Sequence, residues 1–189
     1  MKSDTLLDAL AGAPVIASVK TEADLNAALE SDVGVIFLLF GNILTVGELT
    51  RRVREAGKLA FVHLDLIEGL SPREVTVDFI AQSTGADGII STKAALTRRA
   101  RELGLLAIRR FFLLDSMALD NIEHSFHADG SDVIEVLPGL MPSIIRWVAQ
   151  VTGQPVIAGG LIRYKEDVTA ALSAGAVAVS TTNPGVWEM

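Results

Sequence analysis

Short apolar segments alternate with amphipathic segments along the whole chain. Each apolar segment is followed by a polar or glycine-containing turn and then by about ten residues whose apolar positions have helical spacing. The pattern predicts strands at Val15–Val19, Val33–Phe40, Leu59–Asp65, Gly88–Ser91, Leu105–Arg109, Val133–Leu137, Pro155–Ala158 and Ala176–Ser180. It predicts helices at Glu22–Glu30, Thr45–Ala56, Pro72–Thr84, Lys93–Leu103, Ser116–Ala128, Pro142–Val151 and Lys165–Ala174. Strands and helices that alternate over short loops indicate a parallel sheet.

The number of strand and helix units favours a closed barrel over an open sheet. In the third predicted strand, the alternate residues Phe61, His63 and Asp65 would point to the same face. A barrel can place such polar side chains inside, near its mouth, whereas an open sheet buries both faces with apolar residues. Only Pro184–Met189 follow the last strand. We therefore expect a compact α/β fold, a single (β/α)8 TIM-like barrel over residues 1–189 with its last helix absent or vestigial. The segment Thr5–Ala11 or a partner subunit would cover the exposed wall.

The composition of the chain excludes several classes of protein. The chain has 189 residues, no cysteine and a formal net charge of −7. Disulfides and thiolate metal sites are excluded, and the negative charge argues against nonspecific nucleic-acid binding, which depends on neutralising phosphates. No apolar segment is long enough to span a membrane, and Met1–Asp4 lacks a signal-peptide pattern. We expect a cytoplasmic protein that does not bind membranes.

A phosphate site is predicted after the last two strands. Gly159 and Gly160 follow the seventh strand together with Arg163, and Ser180 and Thr181 lie at the end of the eighth. Paired glycines let backbone N–H groups approach an oxyanion, and barrels of this kind usually bind phosphate at these two loops. The alternative is that the glycines only shape a tight turn.

Other polar residues at strand ends would contact the rest of the ligand. His63 and Asp65 would face the mouth, or they would form a structural pair that orders the loop. Ser91 ends the fourth strand, where the alternative is a role at the start of the next helix.

A charged residue is also predicted inside the sixth strand. Glu135 is flanked by apolar residues, and burying an unpaired charge is costly. Arg110 or Lys20 would be its counter-ion, or Glu135 would bind ligand hydroxyls. Both cations could also balance the charge of an anionic ligand.

Two helices carry an Arg-Arg-x-Arg run. The first includes Arg51 and Arg54 and the second Arg98 and Arg101, with acidic residues beside both. Solvated helix faces are one interpretation, and a nucleic-acid surface is the other. His124 and His127 have a spacing that can bind metal, but they fall on an outer helix, so we expect no metal site.

Several segments together resemble the glycerol-3-phosphate-responsive antiterminators of bacterial glycerol operons. They run in order along nearly the whole chain: Phe61–Leu70, Gly88–Lys93, Arg110–Asp115, Glu135–Gly139, Ala158–Arg163 and Ala176–Thr181. The resemblance implies a regulator without catalytic residues or cofactor, whose effector is glycerol 3-phosphate. It would bind the leader of a glycerol-catabolic messenger RNA and promote antitermination or stabilise the message.

Two other classes of function remain open at this point. A sugar-phosphate isomerase or aldolase would use the same phosphate site, with Asp65 or Glu135 as general base. A ligand sensor that signals only to other proteins is the third possibility. Separately, the wall left by the missing last helix could serve for self-association, so a homo-oligomer is a possible partner state.

Overall fold

Eight parallel strands close into a barrel in chain order. The computed structural model describes the backbone of residues 2–189 and the side chains of residues 5–122 and 130–189. The strands are β1 (Val15–Val19), β2 (Val35–Leu38), β3 (Leu59–His63), β4 (Gly88–Ser91), β5 (Leu106–Phe112), β6 (Val133–Leu137), β7 (Val156–Gly159) and β8 (Ala178–Thr181). Each strand pairs with the next, and β8 pairs with β1 to close the ring. The predicted (β/α)8 TIM-like barrel is confirmed.

Helices connect consecutive strands around the outside of the ring. The helices between strands are α2 (Glu22–Glu30), α3 (Val46–Glu55), α4 (Glu74–Ser83), α5 (Ala94–Glu102), α6 (Ser116–Asp129), α7 (Pro142–Thr152) and α8 (Lys165–Ser173). A further helix, α1 (Lys2–Gly12), precedes β1, and α9 (Pro184–Trp187) follows β8. The predicted boundaries differ from these by a few residues. Because α9 has only four residues, the expectation of a vestigial last helix is also confirmed.

Alternation along the strands divides the core into two clusters. Every second residue of a strand points into the barrel, where Phe37 and Phe61 meet edge to face with ring centroids 5.7 Å apart. The residues between them pack outward against the helices; Val62 and Ile134 belong to this larger cluster. Both faces of every strand are therefore covered, which explains why the strands are rich in Val and Ile.

The two terminal helices cover different parts of the barrel from those we expected. Leu6 and Leu10 of α1 are buried in the interior cluster, and α1 contacts β2. The wall between β8 and β1 is instead covered by α9, whose Val186 and Trp187 are buried and which also contacts α2. The expectation that Thr5–Ala11 covers this wall is therefore corrected, because α1 packs into the interior cluster instead.

Neither a membrane-spanning helix nor a cluster of metal ligands occurs in the described part of the chain. No helix there is long and apolar enough to cross a membrane. No group of three or more His, Asp or Glu side chains among the described residues could hold a metal ion. The side chains of His124 and His127 lie outside the described residues.

Candidate ligand-binding site

A cavity of about 990 Å³ opens at the carboxyl ends of the strands. It lies mainly between the ends of β5, β6, β7, β8 and β1, where ligand sites form in this fold. Its polar lining includes Ser18, Lys20, Arg110, Gly160, Arg163, Ser180, Thr181, Thr182 and Asn183. Its apolar lining includes Leu39, Leu66, Phe112, Leu114, Leu137, Pro138, Leu161 and Ile162.

An ion pair inside the barrel holds the guanidinium that lines this cavity. Arg110 and Glu135 are partners across β5 and β6, and Arg110 Nε donates to Glu135 Oε2 at 2.6 Å. Ser180 Oγ donates to the other carboxylate oxygen, Oε1, at 2.6 Å. Glu135 is fully buried, so the charge predicted inside β6 has Arg110 as its counter-ion. The Nε bond leaves the two terminal nitrogens of Arg110 available to an anion in the cavity.

The glycine at the end of β7 makes room for this network. A Cβ atom at Gly159 would lie 2.6 Å from Ser180 Oγ and 2.7 Å from Glu135 Oε1. Such separations are too short for non-bonded atoms. Gly159 thus lets the carboxylate and the hydroxyl meet, and it lies behind the cavity wall rather than in it.

The loops after β7 and β8 are tied to each other. Thr181 Oγ1 donates to Ile162 O at 2.8 Å, and Asn183 Nδ2 donates to Arg163 O at 3.0 Å. Both hydroxyls predicted to contact phosphate, those of Ser180 and Thr181, therefore donate to protein acceptors. Their remaining lone pairs cannot bind a phosphate, which is itself an acceptor, so N–H groups of these loops would have to supply the contacts; both residues line the cavity. The result is a loop pair that is held in place before any ligand arrives.

Backbone N–H groups at the same loops remain open to a ligand. The carboxylate of Asp167 accepts from the N–H groups of Arg163 and Tyr164, both at 2.9 Å. In contrast, among the described residues no hydrogen bond engages the N–H groups of Leu161 or Thr182. Leu161 also has a φ of 63°, which is unusual for a residue with a side chain. A strained loop that exposes unpaired donors is typical of a ligand site.

The charged side chains that line the cavity are all positive. Lys20 lies just after β1, Arg110 in β5 and Arg163 after β7, and among the residues whose side chains are described no carboxylate lines the cavity. Charge of one sign in a concave, partly apolar site attracts a small anion and concentrates its field. The lining as a whole suits a ligand with a phosphate and a short polar body.

His63 lies deeper in the barrel than the cavity lining. It is buried, and its Nδ1 has no hydrogen-bond partner. Burial, together with the positive charge of Arg110, lowers the pKa of His63 to about 4 despite the opposing effect of Asp65. The imidazole is therefore neutral near pH 7, and it can accept or donate one hydrogen bond without adding charge.

Asp65 and Ser91 are bound to each other rather than to the cavity. β3 ends at His63, and the chain then turns, so the parity that predicted an inward Asp65 no longer applies. Asp65 accepts from Thr92 N at 2.7 Å, from Ser91 Oγ at 3.2 Å and from Lys93 Nζ at 3.1 Å. Burial by itself would raise the pKa of Asp65, but these donors outweigh it and hold the pKa below its usual range. Asp65 thus orders the loop through Ser91, Thr92 and Lys93, rather than through the pair with His63 that was the structural alternative.

The arginines predicted to bind RNA lie on α3 and α5, and two of them are paired with acids. Arg51 bonds Glu48 at 2.6 Å and also Glu55. Arg101 lies 3.4 Å from Asp132. Arg54 and Arg98 are exposed. The pairing of Arg51 and Arg101 reduces the positive charge that these helices present to solvent.

Some residues of the cavity were missed from sequence. Ser18 has the same inward parity as Ile16, so alternation in β1 could have identified it. Phe112 was missed because β5 was predicted to end at Arg109, whereas it continues to Phe112. Leu114 and Leu161 carry no sequence signal, since an exposed leucine in a loop cannot be told from a buried one by pattern.

Comparisons with known proteins agree along nearly the whole chain. A sequence model of the family described as glycerol-3-phosphate responsive antiterminator matches residues 15–187. The chain is 46% identical over 184 residues to a protein of Escherichia coli (strain K12) described as uncharacterized protein YgcP, covering 97% of this chain and 96% of that protein.

Two solved structures are similar in both sequence and fold. The glycerol uptake operon antiterminator regulatory protein of Listeria monocytogenes superposes with a TM-score of 0.90 at 32% identity, covering 93% of this chain and 95% of that one. A glycerol uptake operon antiterminator-related protein of Thermotoga maritima gives a TM-score of 0.82 at 32% identity, covering 93% and 98%.

Proposed function

Because this chain belongs to the glycerol-3-phosphate responsive antiterminator family, we propose that it is a cytoplasmic, non-catalytic regulator whose effector is glycerol 3-phosphate. In this proposal the effector binds in the cavity at the carboxyl ends of the strands. The liganded protein then binds the leader of a glycerol-catabolic messenger RNA and promotes antitermination or stabilises the message. No cofactor takes part.

The observation that carries the proposal is the buried guanidinium at the cavity floor. Arg110 is held by Glu135 through Nε and faces a cavity whose described lining has no acidic side chain. We place the phosphate of the effector against Arg110, Gly160, Ser180 and Thr181. The unpaired N–H groups of Leu161 and Thr182 would complete its hydrogen bonds. Such charge-assisted contacts are the stronger hydrogen bonds in proteins.

The glycerol part would point toward the barrel axis. Glu135 accepts hydrogen bonds there, and His63 has an unpartnered nitrogen close to the same interior. Both can bind hydroxyl groups without placing a second positive charge next to Arg110. Lys20 and Arg163 would neutralise the remaining phosphate charge at the rim.

The same placement assigns supporting roles to three other residues. Gly159 allows Glu135 and Ser180 to meet, whereas Asp65 and Ser91 hold the loop between β4 and α5. In this proposal these three residues shape the site without touching the effector.

Binding of the effector would change the affinity for RNA through the loops above the ligand. Residues 67–70 lie in the segment after β3, and residues 137–141 begin at the last residue of β6; each segment contains a glycine. A ligand shifts the arrangement of such loops only if it binds one arrangement better. A coupling of about 1–3 kcal/mol would change RNA affinity by about 5- to 150-fold.

A mobility-shift titration tests this function. The probe is an in vitro transcript of the leader of a glycerol uptake operon from the same genome, with glycerol 3-phosphate, glycerol or no addition. We expect glycerol 3-phosphate alone to strengthen binding by about 5- to 150-fold. Equal binding in all three conditions would contradict a role for this effector. The Arg110→Gln variant should lose the response to effector, whereas Arg146→Gln on the outer face of α7 should retain it.

A further inference from the structure

Large apolar side chains are exposed mainly at one end of the barrel. In the part of the chain whose side chains are described, most of them lie in or next to the loops that follow β2, β3, β5, β6 and β7. Four of them, Leu66, Phe112, Leu114 and Leu161, line the cavity. Leu140 and Tyr164 lie in the loops after β6 and β7, close in the chain to lining residues, and the six are between 43% and 84% exposed. Apolar side chains collected on one face of a protein mark a surface that another molecule covers.

The exposed aromatic rings belong to this same arc. Among the aromatic side chains described, only Phe112 and Tyr164 are largely exposed, at 50% and 65%. Phe112 ends β5 and lines the cavity, and Tyr164 follows Arg163, which also lines it. Exposed aromatic rings beside cationic groups are the platforms on which single-stranded nucleic acids stack their bases.

The charge at this end of the barrel differs from the charge of the whole chain. The protein carries a net charge of −7, yet within the described part of the chain the cavity is lined by three cations and no acid. Lys165 adds an exposed cation at the start of α8, but Glu166 and Asp167 in the same turn offset it. The arginine runs on α3 and α5 are partly neutralised as well, so the excess positive charge at this end lies in the cavity lining, and a polyanion would be attracted there.

The cavity also has more room than the effector needs. A three-carbon phosphate placed at Arg110 and Gly160 would occupy only the inner part of about 990 Å³. The outer part, between Leu66, Phe112, Leu114 and Leu161, would stay open above it. This space is apolar, which suits the face of a base better than a second phosphate.

We propose that the rim of the cavity, consisting of Phe112, Leu114, Leu140, Leu161 and Tyr164 with Arg163 and Lys165, is the RNA-binding surface of this protein. A single-stranded segment of RNA crosses the rim, its bases pack on Phe112 and Tyr164, and its phosphates contact Arg163 and Lys165. The inference rests on the proposed function and adds the surface that carries it out. The RNA covers the bound effector directly, so the two ligands are coupled through shared loops rather than over a distance.

Crosslinking locates the surface on the unmodified protein. The probe is the leader transcript described above with 4-thiouridine in place of uridine, irradiated with the full chain in the presence of glycerol 3-phosphate. We expect crosslinked peptides to contain residues 112–117, 138–141 or 161–165. Crosslinks confined to α3 and α5 would overturn the assignment of the rim while the proposed function stands.

A variant series gives the quantitative test. Loss of one stacked base costs about 5- to 150-fold in affinity, so Tyr164→Ala should weaken binding of the same transcript by that factor. Val151→Ala, which truncates an exposed apolar side chain at the far end of α7, is the matched control and should bind as the unmodified protein does. Thermal midpoints measured for both variants exclude unfolding as the cause.

Outcomes separate the two proposals. If Tyr164→Ala binds RNA as well as the Val151→Ala control, the rim is not the surface. If the Arg54→Gln, Arg98→Gln double variant instead loses RNA binding, the surface lies on α3 and α5. If the unmodified protein binds glycerol 3-phosphate but no RNA, both this inference and the RNA part of the proposed function are overturned. A second copy or another protein seated on the rim would then be detected as a larger species in sedimentation.

Discussion

Arg110 Nε donates to Glu135 Oε2 at 2.6 Å inside the barrel, and both side chains are buried. Since the bond uses Nε, the terminal nitrogens of Arg110, a residue that lines the cavity, are left for a ligand. The carboxylate is in turn held by Ser180. Arg110, Glu135 and Ser180 thus connect β5, β6 and β8. Because Arg110 also lines the cavity, the same ion pair stabilises the barrel and supplies positive charge to the site.

Replacing Arg110 should lower both the stability of the barrel and its affinity for the effector. Arg110→Gln leaves Glu135 buried without its counter-ion, which typically costs about 3–5 kcal/mol of unfolding free energy. Loss of a charge-assisted contact of about 1.5–3 kcal/mol should also weaken glycerol 3-phosphate binding by about 10- to 100-fold. Denaturant unfolding and calorimetry check the two effects. Arg146→Gln, which changes an exposed arginine of α7, should alter neither; an Arg110 variant of normal affinity would place the phosphate elsewhere.

Adding one methyl group at the end of β7 should disrupt the same network. The Cβ atom of Gly159→Ala would lie 2.6 Å from Ser180 Oγ, so the hydroxyl or the carboxylate must move. We expect a loss of about 1–3 kcal/mol in unfolding free energy, as for other overpacked sites, with weaker effector binding. Gly12→Ala is the matched control, since nothing lies within 4 Å of its added atom. Equal thermal midpoints for the two variants would contradict the close approach.

The buried imidazole should make stability depend on pH. The unfolded chain takes up a proton on His63 as the pH falls through about 6.5, whereas the folded protein does so only near 4. The unfolded state therefore binds more protons in this window, and the contribution of His63, which is fully present above about pH 6.5, is lost as the pH falls toward 4. The loss amounts to about 3 kcal/mol. In His63→Leu, the unfolding free energy should fall less between about pH 6.5 and 4 than in the unmodified protein. An equal fall in both proteins would mean that the pKa of His63 is not lowered by folding.

Asp65 should contribute more to the stability of the loop between β4 and α5 than to the affinity for the effector. Its carboxylate accepts from Thr92, Ser91 and Lys93. Asp65→Asn should lower the unfolding free energy by about 1–3 kcal/mol, because a charged acceptor is replaced by a neutral one. Effector affinity should change far less than in Arg110→Gln. A larger effect on affinity than on stability would support the sequence-based prediction that Asp65 contacts the ligand.

The fold could be predicted from the sequence because its signal is repeated. Strands such as Val15–Val19, Gly88–Ser91 and Val133–Leu137 have the bounds that the pattern predicts. The closing role of α9 was harder to predict, because four residues are too few to show helical periodicity. Its contribution depends on one large side chain, Trp187, whose position only the closed ring determines.

The site could be predicted in part. Glu135 and Arg110 were identifiable because a charge inside an apolar strand requires a partner. The contacts of Asp65 with Ser91, Thr92 and Lys93 could not be predicted, because β3 ends at His63 and alternation along the strand no longer determines where residue 65 points. Contact between Asp65 and the ligand stays a prediction. The rim formed by Phe112, Leu114 and Tyr164 had no sequence signal at all, since exposure is a property of the folded loops.

Calorimetric titration of the intact protein with glycerol 3-phosphate and with glycerol measures how much the phosphate contributes to binding. Arg110, the loop N–H groups, Lys20 and Arg163 would all act on the phosphate, and each charge-assisted contact contributes about 1.5–3 kcal/mol. We expect one binding site for glycerol 3-phosphate and an affinity for glycerol at least about 100-fold weaker. Equal affinity for the two compounds, or no heat with either, would contradict this expectation.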